Sequence, residues 1–277
     1  MARIGTWEVD EQLGEGAFGR TFRGHHYLLP DVPVCIKQEK TGVPAYMDLF
    51  RQEAQILSKL RSSYLPTFID YDELPDFGQV IMLSFIKGPS LEKLVKAKND
   101  ANGTPLATDP LDDEHILWIA DRICCALSYL HGKHTIVHCD LKPANVILEV
   151  EDHVATVVDL GMASFRPDEH AKAKGGTAGY IPPEANLGLP PIPAFDIYSL
   201  GSTLLFLAGG NPYKGIFPLD MPGKMRALIE SMLRHDPRQR PQSADFLRND
   251  IGKLRKDIYG RTTTLEVLKF RDGRIWK

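Results

Sequence analysis

Residues 138–145 of the chain read His-Cys-Asp-Leu-Lys-Pro-Ala-Asn, and a second polar cluster, Asp-Leu-Gly, follows at residues 159–161. Each cluster follows or interrupts an apolar run, so its polar groups stand at the edge of a buried region. The Asp140 carboxylate can orient a hydroxyl group and accept its proton. Asn145 and Asp159 can supply the hard oxygen ligands that Mg²⁺ prefers. The two clusters therefore predict proton transfer beside a divalent metal ion.

Upstream of these clusters, an apolar strand at residues 34–37 ends in a single cation, Lys37. A cation that points into a half-buried pocket needs a counter-anion. Glu53 can supply it from a helix predicted at residues 46–60, whose apolar positions recur at helical spacing. Taken alone, such a Lys and Glu are more often a solvated surface pair. The two polar clusters shift the interpretation toward a buried ion pair.

A glycine-rich run occupies residues 14–19, Gly-Glu-Gly-Ala-Phe-Gly. Its glycines let backbone N–H groups approach phosphate oxygens without an intervening side chain. A dinucleotide-binding interpretation would use Glu39 as the ribose-binding acid, but it requires a helix that begins at the glycines. Residues 20–24 instead have a strand pattern. The glycines are therefore predicted to join two strands as a flap.

The chain is organised as a small sheet-rich domain at residues 1–86, a larger and mainly helical domain at 87–257, and a tail at 258–277. The first domain contains one helix and five predicted strands, at residues 7–13, 20–27, 32–38, 68–72 and 79–85. The strongest helical patterns of the second are at residues 113–131 and 194–208. Residues 86–89 read as a hinge and residues 97–111 as a surface loop. The tail is a candidate β-hairpin with an Asp-Gly turn at residues 272–273.

The composition is that of an ordinary globular protein, with 277 residues, 43% hydrophobic, 25% charged and a net charge of -3. It gives no reason to expect nucleic acid as a partner, and no apolar stretch is long enough to span a membrane. Four cysteines without metal-ligand spacing and no visible secretory signal predict a cytoplasmic protein with reduced thiols. Residues 224–277 hold 14 basic and 7 acidic groups, which indicates either a solvated face or a docking surface for an acidic partner.

These motifs, in this order, resemble those of eukaryotic-type (Hanks-type) protein kinases from about Trp7 to Ile251. Three further matches strengthen the resemblance. Residues 176–184 resemble the end of an activation segment, residues 196–201 resemble the helix that supports the catalytic loop, and Arg240 is the expected buried partner of Glu184. Small-molecule phosphotransferases of the aminoglycoside type typically lack these three elements. The resemblance implies an α+β, bilobal protein kinase fold.

The resemblance also implies a role for each matching residue. Lys37 would hold the α and β phosphates of ATP, and Glu53 would orient Lys37. Asp140 would orient the acceptor hydroxyl, while Lys142 would stabilise charge on the transferred phosphoryl group. Mg²⁺ would be ligated by Asn145 and Asp159. The residues implied to contact ATP are Leu13, Gly14, Gly16, Gly19, Thr21, Cys35, Lys37, Leu83, Ser84, Phe85, Ile86 and Ile147.

Lys142-Pro143 and Gly176-Thr177 resemble the serine/threonine branch of the family, which implies a protein Ser or Thr as the phosphate acceptor. Cys139 replaces the arginine that often precedes the catalytic Asp, so the chain resembles the non-RD kinases. In kinases that keep this arginine, phosphate on the activation segment neutralises it. Cys139 implies that this control is absent. The chain between residues 213 and 236 is also short, which predicts that a helix used by many kinases for docking is reduced or missing.

The main alternative is a pseudokinase that acts as a nucleotide-binding scaffold or signalling module. Pseudokinases usually lose one or more of five groups, all of which are present here: Lys37, Glu53, Asp140, Asn145 and Asp159. The complete set favours an active enzyme. For the tail, three roles are open: packing on the kinase domain, docking a regulatory partner, or leading into a further domain.

Overall fold

A computed structural model of the chain describes residues 2–16, 18–40, 44–95, 98–99, 105–149, 154–262, 269–271 and 274–276. The chain divides into two compact units, unit 1 at residues 1–86 and unit 2 at residues 87–277. Unit 1 is sheet-rich and unit 2 is mainly helical. The α+β class predicted from the sequence is confirmed.

Unit 1 is built on one antiparallel sheet with the strand order β1-β2-β3-β4-β6-β5. Its strands are β1 (Ala2–Ile4), β2 (Trp7–Glu15), β3 (Gly19–His26), β4 (Leu29–Glu39), β5 (Phe68–Leu74) and β6 (Gly78–Ser84). Helix α1 (Pro44–Leu57) connects β4 to β5. Strand β1 was not predicted, because three residues are too few to show an alternating pattern; tertiary pairing with β2 forms it.

The core of unit 1 determines which way Lys37 points. Side chains alternate between the two faces of a strand, and Val34 and Ile36 of β4 enter an apolar cluster with Ile4, Val80 and Met82. Cys35 and Lys37 therefore lie on the opposite face and are only partly buried. On that face α1 supplies the partner of Lys37.

Unit 2 contains six further helices, eight short strands and single turns of other helix types within the described residues. The helices are α2 (Leu91–Leu94), α3 (Asp113–Ser128), α4 (Pro183–Asn186), α5 (Pro193–Leu207), α6 (Gly223–Met232) and α7 (Ala244–Tyr259). A π-helical turn at Tyr129–His134 continues α3, and 3-10 turns form at Pro143–Asn145 and Pro237–Gln239. The strands are β7 (Lys98–Asn99), β8 (Pro105–Leu106), β9 (Ile136–Val137), β10 (Val146–Glu149), β11 (Val154–Val157), β12 (Ser164–Phe165), β13 (Lys269–Arg271) and β14 (Arg274–Trp276).

Helix α5 is the central helix of unit 2. Almost all of its residues are buried, as expected of a helix that is apolar all round. Its first turn nevertheless carries a fully buried carboxylate, Asp196. A buried ion must be paired or hydrogen-bonded to remain charged. The partners of Asp196 lie in the loop that follows β9, so α5 supports that loop.

Three segments add detail to the sequence-based description, and the first of them differs from it. The predicted surface loop at residues 97–111 contains a small hairpin of β7 and β8. In the tail, Arg271 pairs with Arg274 across an antiparallel β13–β14 hairpin, and the Asp-Gly turn lies outside the described residues. Residues 208–222, between α5 and α6, form turns and a bridge from Asn211 to Ile216, with no helix. None of the helices in the described part of the chain combines the length and the apolar character that a membrane span requires.

Candidate active site

The loop that follows β9 is held by the buried carboxylate of Asp196. Its Oδ2 accepts a hydrogen bond from the His138 backbone N–H at 2.8 Å, and its Oδ1 accepts one from the Cys139 N–H at 2.9 Å. His131 Nε2 lies 2.7 Å from Oδ2. Two successive amides can converge on one carboxylate because Cys139 adopts a left-handed backbone with φ of 66°. The next residue, Asp140, is thereby fixed in place.

Asp196 stays ionised in this position. Burial alone would raise the pKa of this carboxyl group, but the hydrogen bond and charge of His131, together with the charge and amide of His138, outweigh that effect. The net result is a pKa below the ordinary value. The ionised carboxylate is therefore favoured at the position where the loop amides need an acceptor.

Asp140 lies in a compact hydrogen-bonded triangle with Lys142 and Thr177. Lys142 Nζ donates to Asp140 Oδ2 and to Thr177 Oγ1, both at 2.7 Å. Thr177 Oγ1 in turn donates to Asp140 Oδ1 at 2.7 Å. Asn145 Nδ2 adds a bond of 2.9 Å to the Asp140 backbone oxygen. A carboxylate, an ammonium group and a hydroxyl thus meet at one point.

Thr177 is the member of this triangle that the sequence-based list of site residues lacked. In the sequence it stands out only as part of the Gly176-Thr177 motif, which resembles the serine/threonine branch. Its position 37 residues after Asp140 gives no local signal of contact. The motif itself was the one signal that could have identified it.

Asn145 and Asp159 are brought to the same end of the β10–β11 hairpin. Val146 pairs with Val157, and the Val158 N–H donates to the Asn145 backbone oxygen at 2.9 Å. Asp159 follows directly, with a left-handed φ of 66°. Its Oδ1 accepts a bond from the Gly161 N–H at 3.3 Å. The register of the β10–β11 pair therefore brings Asn145 and Asp159, the two candidate metal ligands, to the same end of the pair.

Lys37 and Glu53 form an ion pair within unit 1. Lys37 Nζ lies 2.7 Å from Glu53 Oε1 and 2.6 Å from Oε2. The Glu53 residue is 2% exposed, so its charge depends on this partner. Glu53 belongs to α1 and Lys37 to β4, so the pair ties the helix to the sheet.

The three glycines of the glycine-rich run differ in what surrounds them. A Cβ at Gly19 would clash with the Gln38 backbone oxygen, so close packing of β3 on β4 excludes any other residue there. A Cβ at Gly14 would meet nothing within 4 Å, and one at Gly16 only the Gly19 oxygen at 3.9 Å. Gly19 is thus needed for packing, while Gly14 and Gly16 leave room beside the backbone.

The other residues expected around ATP are distributed over both units. Leu13, Thr21 and Cys35 lie on neighbouring strands of the unit 1 sheet, and Cys35 pairs with the buried Leu83. Ser84 ends β6, and Phe85 and Ile86 follow it. Ile147 alone of this set belongs to unit 2, where it lies in β10.

Glu184 and Arg240 form a buried, two-pronged ion pair. Arg240 Nη1 and Nη2 donate to the two carboxylate oxygens at 2.5 and 2.7 Å. Arg240 also donates to backbone oxygens, including that of Ala194 at 2.9 Å. The guanidinium lies over the Tyr198 ring, 4.8 Å from its centroid. This pair connects the end of the segment 159–184 to the start of α5 and to the chain before α7.

The segment 159–184 packs against Cys139 through apolar contacts. Val137, Cys139 and Phe195 form a buried cluster, against which Met162, Ala173 and Ala185 pack. Burial raises the pKa of the Cys139 thiol, so this side chain is uncharged. Strand β12, inside the segment, pairs with β9. Apolar packing and strand pairing therefore both contribute to holding this segment in place.

Comparison with known proteins shows the family to which the chain belongs. The family model described as the protein kinase domain matches residues 7–218, and the chain belongs to that family. It is 27% identical to "Serine/threonine-protein kinase B" of Synechocystis sp., over 88% of the chain and 46% of that protein. It is 32% identical to "U-box domain-containing protein 33" of Arabidopsis thaliana, over 73% of the chain and 23% of that protein.

A third relative, "Aurora kinase" of Schizosaccharomyces pombe, is 27% identical over 94% of the chain and 75% of its own length. The chain spans less than half the length of the other two relatives. The predicted membership of the protein kinase family is confirmed. The dinucleotide-binding alternative is wrong, since a strand, β3, and not a helix, follows the glycines.

Proposed function

We propose that the chain is an ATP- and Mg²⁺-dependent serine/threonine protein kinase. The observation that carries the proposal is the triangle of Asp140, Lys142 and Thr177. Asp140 would accept the proton of an incoming Ser or Thr hydroxyl at one carboxylate oxygen. Lys142, already beside Asp140, would stabilise negative charge that develops on the transferred phosphoryl group. The names of two of the relatives, a serine/threonine kinase and an Aurora kinase, support this choice.

The donor set at the end of the β10–β11 hairpin fits Mg²⁺. Asn145 and Asp159 supply oxygen atoms, the ligands that a small hard cation prefers. The described residues contain no group of three or more His, Cys, Asp or Glu suited to a metal, so further ligands would come from phosphate oxygens and water. When bound, the ion would offset the charge of the phosphates. In unit 1, Lys37 would hold phosphate oxygens, and the open space at Gly14 and Gly16 would admit them to the backbone amides.

The acceptor is a protein hydroxyl group, and the tail is a candidate site for a regulatory partner. Four free cysteines are compatible with a reducing, cytoplasmic location. No feature of the charge distribution calls for nucleic acid.

The proposal is tested by incubating the protein with γ-labelled ATP and a mixture of potential protein substrates. Transfer to Ser and Thr is expected with Mg²⁺ and not with EDTA, and Mn²⁺ and Ca²⁺ arms show whether Mg²⁺ is the preferred ion. Binding of MgATP without any transfer, even to itself, would favour the pseudokinase alternative. Transfer to a small metabolite but to no protein would contradict the assignment to a protein substrate.

A first prediction concerns Thr177. Thr177→Ala removes the hydroxyl that bridges Asp140 and Lys142, so kcat is expected to fall by about ten- to a hundredfold, the range of one hydrogen bond to a charged group. Thr177→Ser keeps the hydroxyl and is expected to retain most of the activity. Steady-state assays measure kcat for both variants and for the wild type. Equal activity of the Ala and Ser variants would show that the hydroxyl has no part in the reaction.

A second prediction is that activity does not require phosphate on the segment 159–184. Its hydroxyl residues are all engaged or covered: Ser164 lies in a paired strand, Thr177 bonds to Asp140, and Tyr180 is 6% exposed. The protein is treated with a phosphatase, the phosphatase is removed, and initial transfer to an added substrate is measured beside Ser164→Ala. Both samples are expected to show the untreated rate. A long lag or a large loss of initial rate would contradict the prediction.

A further inference from the structure

An aromatic contact joins the glycine-rich turn to helix α1 inside unit 1. The rings of Phe18 and Tyr46 meet edge to face, with centroids 5.1 Å apart and planes at 85°. Phe18 lies at the tip of the turn, and Tyr46 lies in the first turn of α1. The proposed chemistry uses neither side chain. Edge-to-face pairs are an attractive arrangement for aromatic rings, so the contact links two elements that are separate in the sequence.

The backbone of the same turn is attached to the end of β4. The Phe18 carbonyl accepts a hydrogen bond from the Lys40 N–H at 2.9 Å, and the Gly16 N–H donates to the Gly19 oxygen at 2.8 Å. Lys40 Nζ lies 2.9 Å from the Glu15 carboxylate. The turn is therefore attached at its backbone to the sheet and at its aromatic tip to α1.

Tyr46, Phe50 and Glu53 share one face of α1, at positions i, i+4 and i+7. Each contacts a different part of the candidate phosphate-binding apparatus. Tyr46 contacts Phe18, a Cβ at Gly19 would lie 3.5 Å from the Phe50 ring, and Glu53 bonds to Lys37. Lys37 Nζ also lies 5.8 Å from the centroid of the Phe50 ring. One face of α1 thus contacts both the glycine-rich turn and the lysine.

We propose that Tyr46 is a positioning residue for nucleotide binding. Through Phe18 it fixes the glycine-rich turn relative to α1, so that the amides of the turn and the Lys37 ammonium are presented to the phosphates as one preorganised group. Preorganisation raises affinity because less conformational freedom is lost on binding. The inference rests on the proposed function, since it concerns the same ATP site.

The test measures the Kd of MgATP by calorimetry and the KM and kcat of transfer. Tyr46→Ala and Phe18→Ala are each expected to raise Kd and KM for ATP by about two- to tenfold, the range of an aromatic pair, with kcat changed less than twofold. Tyr46→Phe keeps the ring and is expected to match the wild type. The double Ala variant is expected to bind no more weakly than the poorer single variant. Asp48→Ala, at an exposed position of α1, is the control for the substitution itself.

Four results would overturn the inference. These are an unchanged Kd in both single variants, additive losses in the double variant, a Tyr46→Phe variant as weak as Tyr46→Ala, and a lowered melting temperature with no change in KM. The proposed function fails separately, if the wild type binds MgATP but transfers no phosphate; the Kd measurements then still decide the role of Tyr46. A wild type that binds no nucleotide contradicts both.

Discussion

Asp140→Asn is expected to lower the rate of phosphoryl transfer by about 10²–10⁴-fold, the range of a general base. The amide is isosteric with the carboxylate and can still accept a hydrogen bond from Lys142. It cannot take up the proton of an acceptor hydroxyl, and it removes the charge that orients Lys142 and Thr177. Rates are measured with saturating MgATP, so that a change in nucleotide affinity does not contribute.

The fold of this variant is expected to remain intact, because the loop around residue 140 is held by Asp196 through the amides of His138 and Cys139. Circular dichroism and the melting temperature check this point. Asp250→Asn removes a carboxylate on the exposed face of α7 and is the matched control. If Asp140→Asn keeps more than half of the wild-type rate, Asp140 is not the base and the mechanism is wrong.

Arg240→Ala is expected to destabilise unit 2 by about 3–5 kcal/mol, the usual cost of removing one partner of a buried ion pair. The substitution leaves the Glu184 carboxylate buried without its counter-charge, and it also removes a donor to the Ala194 carbonyl. Urea denaturation gives the change in the free energy of unfolding. Glu184→Ala should show a similar loss, and the double variant less than the sum of the two.

Arg238→Ala is the natural control, since this arginine lies two positions away and pairs with Asp236 at the surface, with its own side chain 87% exposed. Exposed pairs contribute little to stability, so its unfolding midpoint should remain close to that of the wild type. Equal destabilisation by Arg240→Ala and Arg238→Ala would show that burial of the Glu184 pair is not what stabilises this part of the unit.

The sequence by itself determined the elements whose evidence is local. The alternation around Lys37, the helical spacing of residues 46–60 and the glycine-rich run each depend on neighbouring residues, and the observed strands and helix lie within a few positions of the predictions. The order of the motifs was sufficient to identify the family. Within unit 1 the element missed is β1, which is stabilised by pairing with β2 and not by its own three residues.

Only the tertiary structure decided which distant groups meet. Thr177 bonds to Asp140, Asp196 accepts bonds from the amides of His138 and Cys139, and Phe18 contacts Tyr46. None of these contacts leaves a periodic trace in the sequence, because each depends on the path of the backbone between its partners. The path of the backbone includes left-handed turns at Cys139 and Asp159. They occur at residues that carry side chains, where a left-handed backbone is uncommon, and the one at Cys139 persists because a buried hydrogen bond to Asp196, formed only in the folded chain, holds it.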